Sequence, residues 1–113
     1  MSMEIVKNGE QDNCVLVAVK GRIDAVTAPE FDKQVGEWVD ADTSDFIVDL
    51  SELDYISSAG LRSILGVAKR LRGNERELTL CSLKDTVREV FDISGFRSII
   101  PIFDSVEAAL KER

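Results

Sequence analysis

Apolar residues recur along this chain with two periods, one of two residues and one of three to four, which predict strands and helices. Residues 3–7 and 14–20 are rich in apolar and β-branched side chains and have the length of strands. The polar segment 8–13 between them is short enough only for an antiparallel hairpin. Because residues 14–19 are apolar on both faces, we expect the second strand to lie in the centre of a sheet.

Four further segments carry apolar residues at helical spacing. The first begins at Thr27, where Thr-Ala-Pro-Glu predicts a capping box in which the Thr27 hydroxyl caps backbone N–H groups and Glu30 reaches back. Its predicted buried stripe is Phe31, Val35, Trp38 and Val39. The other helices are predicted to start near Ser57 and end at Gly73-Asn74, to start at Ser82 with Asp85 and end at Ser94-Gly95, and to start at Asp104 with Glu107.

Three apolar runs between these helices predict the remaining strands, at 46–50, 77–81 and 98–103. Pro101 cannot donate a backbone hydrogen bond, which favours an edge position for the last of them. The predicted order is β-β-α-β-α-β-α-β-α, and no linker or repeat interrupts it. We therefore expect one α/β domain over residues 1–113, with a mixed sheet packed against helices.

The amino-acid composition excludes several classes of enzyme and binding protein. The chain has 113 residues, a formal charge of −7 and no histidine, which excludes Ser-His-Asp catalysis, His-ligated zinc and phosphohistidine relays. An acidic chain is a poor ligand for nucleic acid or anionic lipid, and no apolar run is long enough to span a membrane. Cys14 and Cys81 lie in separate apolar runs, so we expect two buried reduced thiols, a reducing cytoplasmic location and protein partners.

The segment 46–61 carries the main candidate chemistry, because a buried strand runs through a loop into a helix at Ser57-Ser58-Ala59-Gly60. A hydroxyl there lies beside unpaired helix N–H groups, where a phosphate is tolerated. Gly60 would leave room for the approach of a partner. The same serines could serve only as the helix N-cap, and the local pattern leaves both readings open.

Other polar residues are weaker candidates. Asp24 either contacts a partner beside Ser58 or only orders its own turn. Asp49 lies at the end of a buried strand as a receiver phosphoacceptor does, but the first strand supplies no acidic pair for a metal. A hydrolytic site of Asp49, Asp54 and Ser58 lacks a group that would activate the serine. We therefore predict no catalytic residue, no metal and no cofactor.

Three segments resemble the STAS domain family, in its stand-alone anti-sigma factor antagonist branch. They are Phe46-Ile-Val-Asp-Leu50 with Tyr55-Ile-Ser-Ser-Ala-Gly-Leu61, Gly21-Arg-Ile-Asp24 with Thr27-Ala28, and Val87-Arg-Glu-Val-Phe-Asp-Ile-Ser-Gly95. The resemblance implies that the unphosphorylated chain binds an anti-sigma factor serine kinase with a histidine-kinase-like ATPase fold, which frees a sigma factor for transcription. It also implies that a PP2C-type phosphatase removes the phosphate that this kinase adds.

The resemblance implies phosphorylation at Ser58. Many members carry Asp immediately before the acceptor, whereas this chain has Ser57, which makes Ser57 the second candidate and leaves a STAS scaffold that is never phosphorylated as the alternative function. We predict that the partner is bound by the residues around this position: Asp24, Thr27, Ser57, Ser58, Ala59, Gly60, Leu61 and Arg62.

Overall fold

A computed structural model describes residues 3–112 and confirms the predicted α/β architecture, a mixed six-stranded sheet with four helices. The strands are β1 Met3–Gln11, β2 Cys14–Ile23, β3 Asp45–Asp49, β4 Leu53–Ile56, β5 Leu78–Cys81 and β6 Ile102–Phe103. The helices are α1 Ala28–Ala41, α2 Ser58–Arg72, α3 Asp85–Ser94 and α4 Val106–Lys111, and a 3₁₀ turn covers Phe96–Ser98. No helix within the described residues is both long enough and apolar enough to cross a membrane.

Strand β2 pairs with three other strands of the sheet, β1, β3 and β4. The strand order is β1-β2-β3-β5-β6, and among residues 3–112 the β1–β2 pair is antiparallel while the other pairs are parallel. The first half of β2 pairs with β3, and its last three residues pair with β4. The sequence did not predict β4, because Asp54 and Tyr55 between Leu53 and Ile56 break the alternation that marks a strand.

The β1–β2 turn is shorter than predicted. Both strands extend to Asp12 and Asn13, whose φ angles of 56° and 63° are those of a two-residue hairpin turn. Gly9, which the sequence pattern places in the turn, instead lies inside β1 with a φ of 98°, where the pairing shifts between Lys7 and Glu10. That shift is a β-bulge, for which glycine's access to positive φ is suited.

The connection from β2 to α1 corrects the predicted capping box. Thr27 has helical backbone angles, and its hydroxyl makes no cap bond. That hydroxyl instead donates to the Arg22 carbonyl at 2.9 Å and accepts from the Asp24 N–H at 2.9 Å. The Asp24 carboxylate takes the capping role, since Oδ1 accepts from the N–H groups of Val26 at 3.0 Å and Thr27 at 3.1 Å.

Two other helix starts differ from the predicted caps, while the predicted ends at Gly73 and Gly95 are confirmed. Ser82 makes no cap for α3 and donates from its hydroxyl to the Asp104 carbonyl. The cap of α4 is Ser105, whose hydroxyl accepts from the Ala108 N–H at 3.0 Å, rather than Asp104. Cap signals are short and neighbouring polar residues compete for the same role.

The last strand lies at the edge of the sheet as predicted, but it is two residues long instead of six. A 3₁₀ turn occupies Phe96–Ser98, and Pro101 removes a backbone donor immediately before β6.

Helices α1, α2 and α3 bury one face of the sheet, and α4 covers part of the other. The α1 stripe is confirmed: Phe31, Val35 and Val39 are buried, and Trp38 is half-buried against them. Cys14 and Cys81 are buried under α4 and are not joined in a disulfide. Burial raises the pKa of the Cys81 thiol to about 11, so it stays protonated and unreactive near neutral pH.

Gly60 is the point of closest approach between α2 and the sheet. A Cβ there would lie 2.7 Å from the Ile23 carbonyl oxygen and 2.8 Å from side-chain carbons of Ile23 and Ile56. The prediction that Gly60 makes room for a partner is wrong, because its open side faces the protein's own backbone. Gly66, later in α2, is exposed, and a Cβ added there would meet no atom of another element within 4 Å.

We expect Gly60→Ala and Gly66→Ala to have opposite effects on stability. Gly60→Ala should lower the free energy of unfolding by about 1–3 kcal/mol, because backbone must shift to admit the methyl group. Gly66→Ala should raise it by about 0.5–1 kcal/mol through helix propensity alone. Urea unfolding of the two variants beside wild type measures both, and equal effects of one sign would contradict this account of Gly60.

The Asp24 carboxylate should make stability depend on pH. Hydrogen bonds from the Thr27 N–H, and then from Val26 N–H, hold the pKa of Asp24 below its usual range despite partial desolvation. A carboxylate whose folded-state pKa lies below the unfolded value of about 3.9 stabilises the fold fully above that value and progressively less as the pH falls through the folded pKa.

We therefore expect Asp24→Asn to lower the urea midpoint at pH 7, with a difference from wild type that shrinks as the pH is lowered below about 4. Glu37→Gln, a charge loss at an exposed position of α1, is the control and should leave the midpoint unchanged at both pH values. A gap between Asp24→Asn and wild type that stays constant down to the lowest pH would contradict the role of the charge.

Candidate functional site at the ends of β2 and β4

Parallel pairing of β2 with β4 brings the two candidate segments to one edge of the sheet. Ile23 and Ile56 are register partners, and the Ser57 N–H donates to the Ile23 carbonyl at 2.9 Å. The turn after β2, which contains Asp24, therefore lies beside the start of α2. Both segments thus emerge at the same edge of the sheet, which is the condition for Asp24 to lie near Ser58.

Ser57 and Ser58 have different environments although they are adjacent in sequence. Ser57 is the N-cap of α2: its backbone is extended, and its Oγ accepts from the Gly60 N–H at 3.2 Å. Ser57 is half-buried, whereas Ser58 is the first residue of α2 and is exposed. Within residues 3–112 the Ser58 hydroxyl has no hydrogen-bond partner, whereas that of Ser57 is engaged in the helix cap.

Asp24 orders its own turn, which was one of its two predicted roles. Its Oδ1 accepts two backbone N–H groups, and its Oδ2 lies 3.5 Å from Arg22 Nε. The side chain keeps 24% of its surface accessible. Asp24 therefore fixes the loop beside Ser58 and presents one edge of its carboxylate at the surface.

The predicted partner-binding residues divide by burial. Ser58 and Arg62 are exposed, and Ala59 and Ser57 are half-buried. Thr27 and Leu61 are 7% and 8% exposed, and Gly60 is buried against Ile23. The buried residues support the surface from below and offer little area to a partner.

Three accessible residues at this edge escaped sequence reasoning. Val26 projects from the turn after β2 with 84% of its surface exposed, and Tyr55 on β4 is 43% exposed. The Arg22 guanidinium lies over the Tyr55 ring, 4.3 Å from its centroid. The sequence signal for Val26 is an apolar β-branched residue in a turn. The position of Tyr55 beside Arg22 could not be predicted from the sequence, because it depends on the register between β2 and β4.

An open groove of about 530 Å³ between α1 and α2 adjoins the site. Ala25 and Ala59 line it next to the loop, and Arg62 and Asp32 line it further along the two helices. The small side chains keep the floor of the groove accessible, and its charged residues come from both helices.

The carboxylates that sequence reasoning grouped with Ser58 are engaged elsewhere. Asp49 Oδ1 accepts from the Ser51 N–H at 2.9 Å, and Asp54 pairs with Lys84. Neither carboxylate is hydrogen-bonded to Ser58 in the part of the chain that the structure describes. These contacts do not assemble a hydrolytic site around the serine.

Comparison with known proteins agrees with this architecture. The family model for the STAS domain matches residues 6–109. The chain is 46% identical over 98 residues to BtrV of Bordetella bronchiseptica, whose name assigns it provisionally to the anti-sigma factor antagonists; the match covers 87% of this chain and 84% of BtrV.

Two solved structures have the same fold at low sequence identity. An anti-sigma factor antagonist from Mycobacterium paratuberculosis superposes with a TM-score of 0.87 at 24% identity, covering 98% of this chain and 93% of the other. The Bacillus cell fate determinant SpoIIAA in its phosphorylated form superposes with a TM-score of 0.70 at 19% identity, covering 99% and 100%. The family model, the BtrV sequence and the superposed structures agree with one another. The chain belongs to the STAS domain family and is homologous to anti-sigma factor antagonists.

Proposed function

We propose that this protein is a cytoplasmic anti-sigma factor antagonist switched by phosphorylation of Ser58. The unphosphorylated chain binds an anti-sigma factor that is also a serine kinase with a histidine-kinase-like ATPase fold, and binding frees the sigma factor. The kinase transfers the γ-phosphoryl group of ATP to Ser58 Oγ, with ADP as the leaving product, and the antagonist dissociates. A PP2C-type phosphatase hydrolyses the phosphate ester and restores binding.

The observation that carries this proposal is the difference between the two adjacent serines. The Ser58 hydroxyl is exposed on the first residue of α2 and has no partner within residues 3–112. The Ser57 oxygen accepts the Gly60 N–H and caps the helix. A kinase therefore reaches Ser58 without breaking a hydrogen bond, whereas modification of Ser57 removes the cap.

The cap also accounts for Ser57 in place of the Asp that many family members carry. Ser and Asp are nearly equivalent as N-caps, because each offers an oxygen to the free N–H groups of the first turn. The helix start is thus retained with Ser57, and what changes is one negative charge beside the acceptor.

A phosphate on Ser58 acts on binding rather than on the fold. It adds about −1.5 to −2 charge at neutral pH, and the helix terminus stabilises it by only ~0.3–1 kcal/mol. A unit charge about 4 Å from a like charge costs about 4 kcal/mol at an effective dielectric constant near 20, and each 1.4 kcal/mol is tenfold in affinity. One phosphate that faces a partner carboxylate therefore weakens binding by about two to three orders of magnitude.

Phosphorylation by the cognate serine kinase should modify Ser58 alone. We expect one added phosphate on wild type and on Ser57→Ala, and none on Ser58→Ala, by intact and peptide mass spectrometry after incubation with ATP. Ser57→Ala should still lose about 0.5–2 kcal/mol of stability with its cap. A phosphate on Ser57 moves the site by one residue; no phosphate, from a kinase shown active on another substrate, favours the unphosphorylated scaffold.

Binding to the same kinase should depend on charge at position 58. We expect Ser58→Ala to bind as wild type does and Ser58→Asp to bind at least tenfold more weakly by calorimetry, although the thermal midpoint of Ser58→Asp should be no lower than that of wild type. Ser57→Asp is the matched control: it places the same charge one residue earlier at an N-cap position that accepts Asp. Equal affinities of Ser58→Asp and Ser58→Ala would contradict the switch.

A further inference from the structure

Arg62 differs from the other arginines in the described part of the chain. Six of the seven in residues 3–112 make a side-chain ion pair or hydrogen bond: Arg22 with Asp24, Arg70 with Asp40, Arg72 with the Ile99 carbonyl, Arg76 with the Ser44 and Val39 carbonyls, Arg88 with Asp104 and Arg97 with Asp92. Arg62 is exposed and makes neither. In a protein with a charge of −7, Arg62 is thus the one described arginine whose side chain has neither a carboxylate nor a carbonyl partner among residues 3–112.

Arg62 lies four residues after Ser58 on α2. Residues four apart on a helix lie on the same face, with about 5–6 Å between their Cβ atoms, and opposite charges at this spacing attract. Ser57 is five residues from Arg62 and outside the first turn of the helix, so it does not share this face. The spacing therefore distinguishes Ser58 from Ser57.

The groove between α1 and α2 holds no competing ion pair for Arg62. Asp32 lines the same groove from α1, but no contact within 4.0 Å joins its carboxylate to Arg62 among residues 3–112. Asp24, in the neighbouring turn, is occupied by Arg22 and by two backbone N–H groups. The Arg62 guanidinium is therefore available to a new anion on its own helix.

We propose that Arg62 is the positioning residue for the phosphate of phosphorylated Ser58. This proposal rests on the proposed function, since it concerns the same modified serine. The planar guanidinium offers paired N–H donors to two phosphate oxygens, a geometry that a lysine does not reproduce. The pair fixes the phosphate over the groove side of α2 and withdraws Arg62 from the surface that meets the kinase. Phosphorylation thereby adds negative charge and removes an available cation from one face.

The test uses the whole chain with phosphoserine encoded genetically at position 58, which needs no kinase. Phosphorus NMR at low ionic strength follows the second ionisation of the phosphate, whose ordinary pKa is about 6. We expect this pKa to be lower in wild type than in Arg62→Gln by about 0.15–0.4 unit, the shift that corresponds to an i,i+4 ion pair. Arg62→Lys should lie between the two.

Two controls isolate the contact from general charge effects. Lys69→Gln removes the same charge from an exposed position in the last turn of α2 and should leave the phosphate pKa unchanged. Phosphoserine placed at position 57 should have the same phosphate pKa in the otherwise wild-type chain and in Arg62→Gln. The helix terminus acts equally on wild type and Arg62→Gln, so it cancels in their difference.

Equal phosphate pKa values in wild type and Arg62→Gln, with matching circular dichroism, would overturn the proposal. So would a shift in Lys69→Gln as large as that in Arg62→Gln, because the effect would then be general. The test does not depend on the kinase. If the kinase does not bind the chain but the phosphate pKa differs between wild type and Arg62→Gln, only the proposed function is wrong. If phosphorylation switches kinase binding but the two phosphate pKa values are equal, only the role of Arg62 is wrong.

Discussion

The contact between α2 and the end of β2 at Gly60 determines where the candidate site lies. Ile23 presents its carbonyl oxygen 2.7 Å from the position that a Cβ on Gly60 would occupy, and the same carbonyl accepts the Ser57 N–H. One backbone group thus fixes both the last residue before the helix and its first turn. With the inner side closed by this contact, Ser58 points to solvent.

That arrangement depends in turn on strand β2. It pairs with β3 over its first half and with β4 over its last three residues, so its end and the end of β4 coincide. The Asp24 turn is ordered by backbone hydrogen bonds to one carboxylate, and Thr27 ties it to Arg22. The loop beside Ser58 is therefore built from groups whose bonds are satisfied internally, so the proposed phosphorylation would change its charge without changing its shape.

The charged side chains near the site are also mostly satisfied within the chain. Most charged side chains near the edge are paired within the chain: Lys20 with Glu52 at 3.7 Å, Arg22 with Asp24, and Lys84 with Asp54. Exposed pairs of this kind contribute little to stability. Their effect is to leave Ser58 and Arg62 as accessible polar groups on one helix face, without a partner in the described chain, so that a phosphate there meets a surface with few competing charges.

The sequence by itself determined the order of the four helices and of five of the six strands, the buried stripe of α1, the ends of α2 and α3 and the candidate serines, because periodicity, helix-ending glycines and short motifs are local. It missed β4, the two-residue hairpin turn and the caps of α1, α3 and α4, where neighbouring polar residues offer equivalent bonds. Only the tertiary structure decided which serine is the cap, that Gly60 faces inward and that Arg62 lacks a partner. The cap bond from Gly60 to Ser57 is local, but two adjacent serines offer the same signal for it. The orientation of Gly60 and the surroundings of Arg62 depend on contacts between residues far apart in sequence, which no local pattern encodes.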